Sequence, residues 1–522
     1  MAYPILFSTY RSAALTALTA ALFVNAASAA PVGLLDAVRA TLAQNPDILL
    51  QEKQLEFSQG VLQQASGQFD TALRLTAGRL IDHSPLNQLT RDTYASEGFS
   101  LSELKTKTTA YTLALEKPLR NGIVLSPSIG TTRTTGTAND LSNLIAQNQG
   151  RVNFSIRVPL LKGSGASAMA GETAAKLEWE ASQQDLRHAV SQNVLNTVIA
   201  YWSLLAAGKN LDIAREAEAS VRQMVGDTRK LIAADELPAA DLNVVRANQM
   251  DKTATRISAE QALFEARQRL GQSMGLPYRQ MATLEAINAF PAVDFESSAL
   301  ESQAARLIER ATQQRADFAA AQLRQDSARA LTGAAQSNLK PQLDLTVSIG
   351  YAGLAEGDGA GNFGASLNQN RGSANIGTSL SYQWPLANNS ARGIYRQQAA
   401  TYDQSSIRAA NVERSIGIGI ESALSSLAHS TRQLKESAET VELYRISVDN
   451  EKTKLQLGNA AMIEVLTIND RLLNVRLNHI SYQLNMLNAL ARLNFEAGAL
   501  LAEDKTGQSI RLDQLLGLPK LD

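Results

Sequence analysis

The chain has 522 residues, with 49 basic against 50 acidic side chains, and this formal net charge of −1 leaves no electrostatic footprint for nucleic acid. It has no cysteine, which excludes a disulfide framework, thiol catalysis, Cys-based zinc and a lipid-modified N-terminal cysteine. Aromatics make up only 5% of residues, low for one compact core of this size, and His83, His188, His429 and His479 lie too far apart in sequence for metal-ligand spacing.

Residues 1–29 read as a secretory signal. Arg11 supplies the positive region, residues 13–24 the apolar stretch, and Ala27-Ser28-Ala29 an A-x-A cleavage site that would leave Ala30 first. Beyond it no run approaches the ~20 apolar residues of a membrane-spanning helix.

Residues 30–275 form a first structural repeat: a helical opening, a strand near 71–81, an insert over 82–149, a strand near 150–160 and a helical hairpin over 166–275. The insert carries a hairpin pattern at 111–130, with Asn121-Gly122 as a type I′ turn signal. The strand near 150–160 alternates. Val152, Phe154, Ile156, Val158 and Leu160 fall on one side; Arg151, Asn153, Ser155, Arg157 and Pro159 fall on the other.

Behind it, Gly163, Gly165 and Ala168 spell G-x-G-x-x-A, but a dinucleotide-binding strand is buried on both faces and this one carries arginines on one. The following helix is also far too long for a βαβ crossover. The stretch reads instead as a strand-to-helix junction. Pro159 ends the ladder, and Gly163 and Gly165 permit the bend.

A linker spans 276–300, a second repeat 301–500 and a tail 501–522. "AQNPDILLQEKQL" at 43–55 parallels "QQRADFAAAQLRQ" at 313–325, and "QFDTALRLTAG" at 68–78 parallels "NLKPQLDLTVS" at 338–348, each 270 positions later. The second repeat has strands near 342–352 and 374–385, with Pro385 answering Pro159, and a helical hairpin over 390–500. Nothing there corresponds to the 82–149 insert.

The hairpins break at "AADELPA" and "GNAAM". A helix of ~65 residues reaches roughly 100 Å, beyond an ordinary globular domain. Leu427, Leu434, Val441, Val448 and Leu455, returning through Leu466, Leu473, Ile480 and Leu487, repeat every seven residues, a coiled-coil spacing that a plain bundle core would also satisfy.

Amphipathic strands in an exported protein can enter a membrane only as a closed barrel. Two strands per repeat give four per chain, and membrane barrels need about eight or more. Several chains must therefore share one barrel, with the helices extending its wall. No G-x-S-x-G, H-E-x-x-H or other nucleophile–base constellation is present, so no enzyme is expected, and no cofactor or metal. A periplasmic coiled-coil scaffold is the alternative; it explains the helices but not the strands.

With its "LLDAVRATLAQNPDI" opening, its "RVPLLKGSG" and "WPLANNSARG" junctions, "VIAYWSLLAA" at 198–207 and "LQLGNAAMIEVLTINDRLL" at 455–473, the sequence resembles the TolC-like outer-membrane efflux and secretion channels. The resemblance covers essentially the whole mature chain. It implies a homotrimer: a transmembrane β-barrel with four strands per chain, continuous with a periplasmic α-helical coiled-coil barrel.

It further implies drug efflux or type I protein secretion across the outer membrane of a Gram-negative-type cell. The partners implied are outer-membrane lipid, a periplasmic adaptor and an inner-membrane transporter. In this family acidic residues ring the periplasmic constriction; carried over by motif they are Asp241 and Glu464, while a second acid position is Thr467. A solvated face near a helix start is the level alternative for both acids. The hairpin tips that would meet the adaptor are Asp235, Gly458 and Asn459, and the family's locking Arg and Tyr fall on Ala460 and Leu455.

Overall fold

The computed structural model describes residues 30–136, 146–235, 237–291, 303–368, 374–457, 459–504, 507–509, 515 and 517–519. The expected signal at 1–29 lies outside the described residues, as does Gly458 and part of the 276–300 and 501–522 segments.

In chain order the first half contains β1 (Ala30–Val32), α1 (Leu34–Gln44), α2 (Pro46–Ser66), β2 (Ala72–Pro85), α3 (Gln88–Ser96), β3 (Glu103–Pro118), β4 (Val124–Gly136), β5 (Gln147–Pro159), α4 (Ala166–Ala233), α5 (Asp241–Ser273), α6 (Tyr278–Met281) and β6 (Leu284–Ala286). The second contains α7 (Ala304–Gln314), α8 (Ala316–Ser337), β7 (Gln342–Glu356), α9 (Gly361–Asn368), β8 (Asn375–Gln383), α10 (Asn389–Gln456), α11 (Met462–Glu496), β9 (Ala502–Asp504) and β10 (Gly507–Ser509). α1, α2 and β2 begin 270 positions before α7, α8 and β7. α4 and α10 are each 68 residues long. No helix among the described residues is long and apolar enough to cross a membrane.

The chain divides into two compact units, and neither coincides with a sequence half. One combines Phe57–Glu180 with Gln322–Ile407; the other combines Met1–Glu56, Ala181–Ala321 and Arg408–Asp522.

The first of these is built on one antiparallel sheet in the order β2-β3-β4-β5-β7-β8. The four expected strands are there, but the sheet has six. The inserted hairpin β3–β4 enters it between β2 and β5. The four strands expected from the repeat are those found in both halves, whereas the β3–β4 pair occurs in one. Its turn also differs from type I′, which needs positive φ at both central residues. Here the Gly122 N–H donates to the Leu119 carbonyl at 2.9 Å, and Gly122 (φ 92) takes positive φ while Asn121 does not. That is a turn finished by a left-handed glycine.

The other unit is helical. Its core gathers Leu34 and Val38 of α1, Val194, Val198, Tyr201 and Trp202 of α4, Leu270 of α5, Leu307 of α7, Ile416, Ile420 and Leu427 of α10, and Leu487 and Leu490 of α11. The seven-residue rows point inward as expected: Leu427 is fully buried, and Val448, Leu466, Leu473 and Leu487 are buried with it. β1 pairs in parallel with β6, so the 276–300 linker contributes ordered structure. Tyr201 fastens this pairing: its hydroxyl donates to the Val32 carbonyl and meets the Asn288 side chain, whose Oδ1 also accepts from the Leu34 N–H.

Candidate functional site

Strand register sorts the sheet into two chemically opposite faces, because side chains alternate with period two. Leu75, Leu113, Ile129, Val152 and Tyr351 are successive cross-strand partners along one row. One residue away, Arg74, Ala114, Ser128, Asn153, Gly350 and Asn375 form a row across all six strands on the opposite face. Val152, Phe154, Ile156, Leu380 and Tyr382 share the apolar face, and Asn153, Ser155, Ser379 and Ser381 the polar one.

The apolar face is open to its surroundings: Leu75 and Ile376 are each 73% exposed. Every residue of the two edge strands, β2 and β8, is exposed. An apolar face of this extent, with two unpaired edges, marks a surface meant to be covered.

Aromatic side chains bound that face. Tyr382 and Trp384 lie at one end; Tyr111 and Tyr351 lie at the other, where the Tyr111 ring meets Phe363 of α9 edge-on at 5.7 Å. The Tyr351 hydroxyl donates to the Leu367 carbonyl of α9 at 2.9 Å. At the opposite end the strands give way to helices. Pro159 closes β5, Gly163 (φ 82) and Gly165 (φ 61) turn the chain into α4, and Pro385 stands two residues beyond β8.

In the helical unit, a second and smaller apolar cluster joins four helix ends: Val221 and Val225 of α4, Val245 of α5, Met462 and Leu466 of α11, with Leu455 of α10 packed against them. Both candidate acids open a helix here. Asp241 is the first residue of α5. Glu464 sits in the first turn of α11, where its carboxylate accepts from the Ala461 N–H at 3.2 Å. Both therefore have the helix-start surroundings that favour an acid. The Lys454 ammonium is held above its ordinary range chiefly by its hydrogen bond to Glu451, with a smaller pull from Glu464.

Asp235 takes φ 61, the left-handed conformation in which a turn glycine would be expected and which Asp tolerates. The Asn459 N–H closes the other hairpin on the Lys454 carbonyl at 2.8 Å. Leu455 packs partly buried against that apolar cluster, and the Thr467 hydroxyl donates to the Ile463 carbonyl at 2.7 Å.

A polar tie between α5 and α11 has no trace in the sequence pattern. The Lys252 side chain is only 8% exposed and meets Asp470 at 2.8 Å and Asp251 at 3.0 Å, while Asn248 donates to Asp470 at 3.1 Å. Burial pulls the ammonium down, but the two carboxylates outweigh it and hold it above the ordinary lysine range. Across α4 and α5, Arg256 pairs with the buried Glu218 at 2.8 Å. Among the described residues no group of His, Asp and Glu is placed to hold a metal ion.

Residues 307–499 match the family model described as outer membrane efflux protein. The chain is 25% identical over 333 residues to the outer membrane protein TolC of Escherichia coli, an alignment covering 61% of this chain and 65% of TolC, so it spans just under two thirds of that relative. In fold it is similar to the CmeC outer membrane channel of Campylobacter jejuni (TM-score 0.64, 15% identity, 89% of this chain and 85% of that one). It is likewise similar to the outer membrane protein VceC of Vibrio cholerae (TM-score 0.63, 15% identity, 89% and 96%).

Proposed function

Kinship with the TolC-like outer membrane efflux channels is the premise from which we propose that this chain is one subunit of an export channel in the outer membrane of a Gram-negative-type cell. The channel is a passive conduit that works with a periplasmic adaptor and an inner-membrane transporter.

The observation that carries this reading is the two-faced sheet. Its apolar face suits lipid, its polar face suits an aqueous lumen, and its two free edges suit pairing with further copies. A periplasmic scaffold has no use for that face. On α5, Met250, Ile257 and Phe264 repeat every seven residues and are 62%, 55% and 44% exposed, a stripe suited to a helix of a neighbouring copy. Similarity to these channels supports three as the number of copies. The matched lengths of the elements, and the 270-residue spacing of α1, α2 and β2 from α7, α8 and β7, support descent of the two halves from one duplicated unit.

The expected result is a homotrimer that survives extraction in mild detergent and aggregates when the detergent is withdrawn. A monodisperse monomer that stays in solution without detergent overturns the reading.

Asp241 and Glu464, at helix starts around one apolar cluster, are the acids proposed for the constriction, and Asp235 and Asn459 with Gly458 the tips proposed for adaptor contact. Three copies would bring six carboxylates toward one axis, and an acidic ring attracts cations. The isolated channel is expected to be cation-selective and of low conductance. Replacing Glu464→Gln together with Asp241→Asn should move its reversal potential in a salt gradient toward zero. Glutamine can keep the bond to the Ala461 N–H, so the helix start survives the change. An unchanged reversal potential would leave both as ordinary helix-start acids.

A further inference from the structure

We propose that the β3–β4 hairpin is itself part of the membrane wall, its apolar face turned to lipid hydrocarbon. Each subunit then supplies six strands, and a three-chain barrel has eighteen instead of twelve. The inference rests on the outer-membrane reading but adds to it, since the hairpin belongs to one half of the chain alone.

Continuity of the apolar face is the first support. Leu113 and Ile129 stand in the same row as Val152 and Tyr351, so the hairpin carries the lipid-facing side of β5 and β7 onward without a shift of register. A hairpin lying outside the wall would have no reason to keep that alternation. Length agrees as well: 16 and 13 residues exceed the ~9–11 that a tilted strand needs to span.

The face also ends where a membrane would end. Along β3 the same side reads Lys117 near the turn, Leu115, Leu113, Tyr111, then Thr109, Lys107 and Lys105. Along β4 it reads Leu125, Pro127, Ile129, then Thr131 and Arg133. Between the basic side chains Lys117 and Lys107 the strand runs about 34 Å, or roughly 26 Å in height at a tilt of about 40°, close to the apolar band of ~25 Å on membrane barrels. Aromatic and then basic side chains follow, as at a lipid–water boundary.

The turn of the hairpin is seated at the strand-to-helix junction. The Gly165 N–H donates to the Asn121 carbonyl at 3.2 Å, and a side chain on Gly122 would strike the Gly163 carbonyl. Arg120 grips Glu172 of α4 through two hydrogen bonds of 2.8 and 2.7 Å. The hairpin thus starts its passage at the level where β5 ends its own.

Barrel diameter grows roughly in proportion to strand number, so the bore would be about one and a half times that of a twelve-stranded relative. The wall would then be the wide part of the conduit.

The chain has no cysteine of its own, so single cysteines can be placed cleanly. A fluorescent probe is attached to the full-length trimer in lipid nanodiscs at Leu113→Cys or Ile129→Cys, with Phe154→Cys and Ile349→Cys as references on β5 and β7. Lipid carrying a spin label on its acyl chain is the quencher. Probes at 113 and 129 should lose as much fluorescence as the references. Ser128→Cys, on the polar face, should escape quenching and react with a water-soluble maleimide. Quenched references with unquenched probes at 113 and 129 would overturn the inference and return the wall to four strands per chain. If the references also escape quenching, the outer-membrane reading falls, and this inference with it.

Discussion

Ile156→Arg is expected to abolish most trimer assembly in the membrane, whereas Ser155→Arg should leave most of it intact. The two positions are adjacent on β5 and face opposite ways. Ile156 pairs with Leu125 and Val347, both apolar; Ser155 pairs with Ser126 and Ser348, both hydroxyls. Ile156 lies near mid-height between the aromatic rows marked by Trp384 and Tyr351, where lipid offers a cation no solvation. An arginine at the midplane of a barrel's lipid face costs about 2–4 kcal/mol, and three copies roughly triple that if the terms add. On the polar face the same side chain meets water.

The measurement is the fraction of chain recovered as trimer from membranes after induction at matched levels. Ile156→Leu serves as the control for packing alone. If both arginine variants assemble equally well, the sheet does not present one face to lipid.

Much of this was legible in the sequence because period-two alternation and seven-residue rows leave a trace in one dimension. The alternating segment lies within β5, Gln147–Pro159, and the two long helices run over Ala166–Ala233 and Asn389–Gln456. The inserted hairpin was legible as a hairpin but not as a member of the sheet. Its outer face turns from Leu113 and Leu115 to Lys105 and Lys107, which blurs the alternation, and membership depends on a register with β2 and β5 that no local pattern encodes.

Buried charge was not legible at all. Lys252 and Asp470, or Arg315 and Glu496, lie about two hundred positions apart and show no periodicity. In sequence each looks like another solvated polar residue. Asn45 and Arg315 occupy matching places before α2 and α8, 270 residues apart, yet solve different problems. Asn45 caps its helix by accepting from the Asp47 N–H at 2.9 Å, and Arg315 collects carboxylates.

Arg315→Met should be the most destabilising single change in the helical unit. The Arg315 side chain is 9% exposed; it holds Asp317 at 2.7 Å, pairs closely with Glu496, and lies over the Phe495 ring at 5.3 Å. Removing one partner of such a buried cluster strands the others and costs about 3–5 kcal/mol. Burial pushes the Asp317 carboxyl up, but its hydrogen bond and charge pairing with Arg315 prevail and hold it below the ordinary aspartate range, with a smaller contribution from His188.

The sign of the pH effect follows. A depressed folded pKa contributes stability that is present above the unfolded value, about 3.9, and is lost as pH falls through the folded one. The wild type should therefore stay level from pH 7 to 5 and weaken only in stronger acid. In Arg315→Met the Asp317 carboxylate loses its cation, and burial then pushes its pKa up. The variant should then regain part of its lost stability on acidification from pH 7 to 5, opposite to the wild-type trend in acid. Adding Asp317→Asn and Glu496→Gln to Arg315→Met removes the stranded charges, so the triple variant should recover much of the loss and its pH dependence should flatten. Thermal dissociation of the trimer in detergent, followed across that range, reads all three. A single variant that merely loses the same stability at every pH would mean that Arg315 acts by packing over Phe495 and not by charge.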